Sequence, residues 1–107
     1  MHKYESFEIF DGDKRVGYVH YQPRSHAFGT LESPVMYVEG FWVDPAYRQQ
    51  GVGRQLMEKL IDHAKNMGFL AIASDTEPEN DASAAAHTAC GFRDAGLLRH
   101  FVFEFKN

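Results

Sequence analysis

The sequence predicts a mixed α/β protein, an α+β sheet in which antiparallel strands feed a parallel pair. Two observations carry this. Two alternating segments flank Asp11-Gly12-Asp13, a strong turn signal, and so predict a β-hairpin. After them come a strand at 34–43, an amphipathic helix and the apolar run FLAIA at 69–73. A strand, crossover helix and second strand of this length form a βαβ unit, with parallel strands and a right-handed connection. At 107 residues the chain has the size of one domain, taken here as 1–107.

Composition narrows the function classes. Apolar residues make up 44% and charged residues 24%, ordinary values for a globular protein. A net charge of −4, without a long run of Lys and Arg, argues against a nucleic-acid partner. No apolar run approaches membrane-spanning length, and the first ten residues lack the apolar segment of a signal peptide. The single cysteine, Cys90, has no internal disulfide partner, which predicts a reducing cytoplasm. Six histidines contain no His-x-x-x-His spacing, so no metal site is expected.

Taken in order, residues 5–11 and 15–21 form the hairpin, with Val16, Tyr18 and His20 on one face and Val19 and Tyr21 on the other. Residues 22–33, with Pro23 and Gly29, read as a loop of about twelve residues, long enough to be functional or mobile. The strand at 34–43 holds Glu39 and Gly40 in its middle. Both are poor strand residues, and together they predict a bulge that re-aims a side chain. Glu39 reads equally well as a solvent-facing residue.

Val52, Leu56, Met57, Leu60, Ile61, Ala64 and Met67 form one stripe of a helix over 52–67, with Gly68 as its stop. The FLAIA run that follows is almost wholly apolar, which predicts a strand buried on both faces. Asn80 or Asp81 caps a second, alanine-rich helix that ends at Gly91. A last strand is expected over 97–105, with Phe101, Phe103 and Phe105 alternating along it.

Arg48-Gln49-Gln50-Gly51-Val52-Gly53 lies between the third strand and its helix. A glycine-rich loop there turns backbone N–H groups toward the positive end of the helix, an arrangement suited to phosphate or pyrophosphate. A Walker A loop needs Gly-Lys-Ser or Gly-Lys-Thr, and the chain has Gly53-Arg54-Gln55. A dinucleotide fingerprint needs a small residue where Leu56 stands. A plain strand-to-helix turn is the remaining structural reading.

The run resembles the acetyl-CoA pyrophosphate loop of the GCN5-related N-acetyltransferases. Val43-Asp44-Pro45-Ala46-Tyr47-Arg48 resembles that family's strand exit. Asn80, seven positions before His87, and Cys90-Gly91-Phe92 fall in the family's order. From position 33 onward, Ser33-Pro34-Val35, Val38-Glu39-Gly40, Tyr47-Arg48-Gln49-Gln50-Gly51, Ala73-Ser74-Asp75-Thr76 and His87-Thr88-Ala89-Cys90-Gly91-Phe92 are similar to the aminoglycoside 6′-N-acetyltransferases. Members of this superfamily usually place a strand and one or two helices, forming one wall of the acceptor site, before the hairpin. This sequence starts at the hairpin, and the resemblance leads to the expectation of a shortened fold.

The resemblance implies a truncated version of that fold, with a splayed parallel pair, and transfer of an acetyl group from acetyl-CoA to a primary amine. The acceptor implied is a small cationic molecule, an aminoglycoside among the candidates. A polyamine, an amino acid or a protein terminus are the other acceptors, and a non-catalytic acyl-CoA-binding or interaction module is the reading from a different class. Arg48, Gln49, Gly51, Val52, Gly53 and Arg54 would hold the pyrophosphate, with glycine at 51 and 53 allowing close approach. Phe41, Trp42 and Val43, within the 38–43 segment, would line the pantetheine and acetyl end, and Asn80 would contact the pantetheine arm.

By matched position Glu39 and Asp75 are the candidate carboxylates. Glu39 is favoured as the base that takes the amine's proton, and Asp75 as an electrostatic seat for the amine. A backbone N–H near Val43 is the candidate oxyanion donor. His87 stands at even odds between an acid for the leaving thiolate and a packed helix residue, and Cys90 reads as a small buried residue. Phe7, Ile9 and Phe10 would border an uncovered sheet edge, so a homodimer is expected.

Overall fold

The computed structural model describes residues 4–30 and 34–105. Ser33, used above, lies outside them. Strands β1 (Glu5–Asp11), β2 (Lys14–Arg24) and β3 (Val35–Val43) pair antiparallel in sequence order. A 3-10 turn at Pro45–Tyr47 leads into helix α1 (Val52–Asn66). Strand β4 (Ala71–Ala73) then pairs parallel to β3, and helix α2 (Asp81–Ala89) follows. The sheet order is β1-β2-β3-β4, so the hairpin and the parallel unit both form as the sequence predicts.

The core is one face of this sheet against α1. Leu56, Met57, Leu60 and Ala64 are buried, and they meet Val19 and Tyr21 of β2 with Met36 and Val38 of β3. This is the helical stripe read from the sequence, with one exception. Met67 stands at the C-terminal cap and is exposed, because Gly68 at φ +84° ends the helix before the stripe completes another turn.

Three expectations change. β2 runs through Pro23 to Arg24, where the sequence predicts a loop from 22. Pro23 pairs with Met36 of β3, and among the described residues the β1 ladder reaches Glu5 opposite Tyr21. β4 is three residues long and half-buried rather than covered on both faces, and Leu70 is exposed. The expected last strand is absent from the described residues. A strand exists through its ladder; residues 97–105 run without one, and Phe101, Phe103 and Phe105 are more than four-fifths exposed at 87%, 82% and 85%.

Candidate active site

The third strand ends in a compact turn. The Asp44 carboxylate accepts the Ala46 N–H at 2.9 Å and lies 3.3 Å from the Lys14 ammonium. The Ala46 bond, with Lys14 and Arg48 behind it, holds that carboxyl below its usual range. Arg48 donates back to the Val43 carbonyl and Gln50 to that of Ala46. The chain then takes two left-handed residues, Gln49 at φ +61° and Gly51 at φ +84°. Gly51 is the N-terminal cap of α1 and supplies no side-chain hydrogen bond to it, and the first turn carries no acidic residue.

The helix takes up its hydrogen bonding from this turn with Gln55 N–H donating to the Gly51 carbonyl at 2.9 Å. The amides before it belong to the turn that a helix leaves without intrahelical acceptors, and an anion suits them. The two glycines have different tasks. Gly51 allows the left-handed turn. Gly53 lets the helix approach β3, since a Cβ there would stand 3.1 Å from Phe41 Cζ and 3.5 Å from Val43 Cγ2. Gly17 does the same from β2: a Cβ there would stand 2.7 Å from Val52 Cγ1. Its signal in the sequence is a glycine inside an otherwise β-branched and aromatic strand.

β3 carries the predicted bulge. His20 pairs with Gly40 and Tyr21 with Val38, which leaves Glu39 as the extra residue. Its ladder with β4 stops at Tyr37 opposite Ala73, while β3 continues to Val43. No strand among the described residues covers the β4 side of 38–43, so the parallel pair opens at that point. Phe41 faces α1 and meets the His87 ring edge-on at 6.2 Å, whereas Trp42 stacks on Tyr18 across the other face at 5.7 Å. The expected lining by Phe41, Trp42 and Val43 therefore divides between two faces. What these residues share is main chain along one open edge.

The two candidate carboxylates are joined by residues the sequence reading left out. Glu39, with 12% of its side chain exposed, accepts Gln22 Nε2 at 2.7 Å and Arg24 Nη2 at 2.8 Å. Arg24 Nε adds a contact at 3.1 Å to the same carboxylate. The Arg24 guanidinium lies 3.7 Å from the centre of the Tyr37 ring, and the Tyr37 hydroxyl donates to Asp75. Burial first, then Asp75, push the Tyr37 phenol up to about 12. Gln22 and Arg24 alternate on β2 and Tyr37 and Glu39 on β3. That polar alternation is the signal in the sequence, and Pro23 and the polar residues after it mask it as a loop.

His87 is held at both nitrogens. The Ser83 carbonyl, 2.8 Å from Nδ1, can only accept, so Nδ1 carries a proton, and in the neutral ring Nε2 accepts from the Ser74 hydroxyl at 2.8 Å. Phe92 closes on the ring edge-to-face. In this tautomer His87 ties α2 to the end of β4, the packed arrangement. Asn80 caps α2, with its side-chain oxygen accepting Ser83 N–H at 3.0 Å. Burial raises the Cys90 thiol above its usual value, which disfavours a thiolate nucleophile. A cavity of about 740 Å³ beside α2 has Tyr37, Asp75 and His87 in its wall, and no residue of 48–54 lines it.

These features define a class. The profile of the acetyltransferase (GNAT) family matches residues 2–92, and the chain belongs to that family. Within it, the chain is 42% identical over 66 residues to an aminoglycoside N(6′)-acetyltransferase type 1 of Salmonella typhimurium, covering 62% of this chain and 46% of that protein. An enzyme of the same name from Klebsiella aerogenes is 35% identical over 91 residues, 85% of this chain and 59% of the relative. The chain thus spans about half the length of the curated relatives it matches. Among solved structures, AAC(6′)-Iy in complex with the bisubstrate analogue CoA-S-monomethyl-acetylneamine superposes with a TM-score of 0.87 at 32% identity, covering 94% of this chain and 69% of that one.

Proposed function

We propose that this chain binds acetyl-CoA and transfers the acetyl group to a primary amine of a small cationic acceptor, with an aminoglycoside 6′-amine as the first candidate. The observation that carries this reading is the opening of the parallel pair beside the loop of 48–54. An uncapped helix start there faces the pyrophosphate, and the open edge of 38–43 offers main-chain groups to the pantetheine amides. The bisubstrate complex of the similar structure, with CoA joined to an aminoglycoside-type amine, supports the pairing of these two substrates.

The chemistry assigned to the residues is as follows. An amine is protonated at neutral pH and attacks only after losing that proton, so the Glu39 carboxylate takes it. The freed lone pair bonds to the thioester carbonyl carbon. Collapse of the tetrahedral intermediate breaks the C–S bond, and the proton that the attacking nitrogen sheds as it becomes the amide passes, directly or through water, to the departing CoA thiolate. The N–H of Asp44, next to Val43, is already given to the Val16 carbonyl at 2.8 Å, so an oxyanion donor is better sought at the bulge around Glu39 and Gly40. Asp75, with Tyr37 donating to it, seats a second ammonium of the acceptor.

A second reading has one observation in its favour. Arg24 and Gln22 already occupy Glu39, as they would in an acyl-CoA-binding module without turnover. Calorimetric titration with acetyl-CoA, followed by thiol release across a panel of amines, separates the two. Binding without release on any amine leaves the module, and no binding removes both.

Two finer assignments belong to the same proposal. The exposed rings of Phe101, Phe103 and Phe105, with Phe10 on the edge strand β1, suit a homodimer. A monomer by light scattering at micromolar concentration would remove it. No helix among the described residues is long and apolar enough to cross a membrane. Together with the single cysteine, this fits the cytoplasm, where acetyl-CoA is available to the loop.

A further inference from the structure

A guanidinium sits where the proposed reaction needs an ammonium. Arg24 makes a two-nitrogen contact with Glu39, at 3.1 Å from Nε and 2.8 Å from Nη2. The same cation lies flat on Tyr37, whose hydroxyl holds Asp75. Between the two carboxylates there is therefore one resident cation, supplied by the chain, stacked on an aromatic ring as an organic cation would be. Glu39 is largely covered while Arg24 keeps 42% of its side chain exposed. Arg24 is also the last residue of β2, so it can leave without breaking the sheet.

We infer that Arg24 is a stand-in for the acceptor cation: it holds Glu39 until an acceptor ammonium displaces it, and so sets the charge an acceptor must bring. This rests on the acceptor reading above and adds what governs entry to that site. While Arg24 is paired, the Glu39 lone pairs are committed to it and to Gln22. A neutral amine gains nothing at Glu39 to offset the lost guanidinium contact. A polycation can replace the guanidinium at Glu39 and reach Asp75 with a second ammonium. Apparent affinity is then the intrinsic affinity reduced by the fraction of molecules with Arg24 displaced. Arg24 is a positioning residue in this scheme, since it need not touch the reacting atoms.

The test uses kanamycin as the polycation and glutamate as the anionic amine, with acetyl-CoA saturating. Arg24→Gln removes the competing charge, so the kanamycin KM should fall by roughly tenfold while kcat stays within about twofold. Free guanidinium ion should then inhibit Arg24→Gln competitively against kanamycin and have less effect on the unaltered chain. Arg24→Lys should keep the high KM. The Arg24 Nε–H resonance of the unaltered chain should move to the position of a carboxylate-free arginine as kanamycin is added, a readout that a purely structural role would not produce.

Three results would overturn the inference. One is a kanamycin KM that rises in Arg24→Gln. Another is selective loss of glutamate turnover, which would make Arg24 an anion handle. The third is kanamycin bound with the Arg24 resonance unchanged, in which case the stand-in falls and the acceptor reading survives. If neither form binds or acetylates any cation, both fall together.

Discussion

The two ends of the open segment of β3 are built from different materials. At its C-terminal end the chain enters the loop of 48–54 through main-chain devices: a 3-10 turn, two left-handed residues and an uncapped helix start. At its beginning, around Tyr37 and Glu39, the geometry rests on side chains: a bulge, a guanidinium, an aromatic ring and two carboxylates. The first end is fixed by its left-handed turn, and the side chains of Arg48 and Gln50 bond back to it. The second is fixed by charge, and its parts can exchange partners. On the proposed function this division has a use: acetyl-CoA, the constant substrate, would meet main chain, and the variable acceptor would meet displaceable charge.

The difference predicts how each end breaks. Glu39→Gln removes the proposed base and should lower turnover by roughly 10²–10⁴-fold with acetyl-CoA affinity unchanged. Steady-state thiol release beside calorimetry checks this, and equal loss of both would erase the division between the ends. Leu60→Ala, under the middle of α1, should cost about 2–5 kcal/mol by urea unfolding and affect both ends alike. Gly51→Val forces a β-branched residue into φ +84°, a strain of about 1–3 kcal/mol that should move the turn and weaken acetyl-CoA binding sharply. Among the described residues, no atom beyond its two chain neighbours lies within 4 Å of the position a Cβ would take, so the circular dichroism spectrum should not change.

A smaller effect comes from Tyr37→Phe. The folded chain holds the phenol proton up to about 12 against an ordinary 10.0. Its contribution to stability is therefore fully present below pH 10 and is lost as pH rises through 12. The substitution should remove a late-ionising tyrosine from an alkaline absorbance titration and loosen Asp75, with acetyl-CoA binding untouched. Least of all, Arg54→Ala breaks an exposed i,i+4 pair with Glu58, worth about 0.3–0.5 kcal/mol. A large loss of acetyl-CoA affinity there would show that a side chain, rather than the loop backbone, holds the pyrophosphate.

The sequence was most legible where local signals and burial agree. Asp11-Gly12-Asp13, the stripe from Leu56 to Ala64, the stops at Gly68 and Gly91 and the bulge at Glu39-Gly40 are all written in neighbouring residues. What was missed depends on contacts distant in sequence. Pro23 reads as a strand breaker until its pairing with Met36 of β3 is seen. Residues 101–105 have the alternation of a strand, yet alternation supplies no partner. The link from Glu39 to Asp75 passes through Arg24 and Tyr37, which meet only once β2 and β3 are in register. His87 reads from the sequence as either of two roles, and its bonds with the Ser74 hydroxyl and the Ser83 carbonyl favour packing.

The central claim is that main chain at the end of β3 and the start of α1 receives acetyl-CoA. Titrating acetyl-CoA into the ¹⁵N-labelled chain tests it most directly. The account predicts that amide resonances of residues 49–54 and 38–43 move together and saturate, and that Gly51→Val abolishes the shifts without altering the rest of the spectrum. Saturable binding that leaves those two segments unmoved would contradict it.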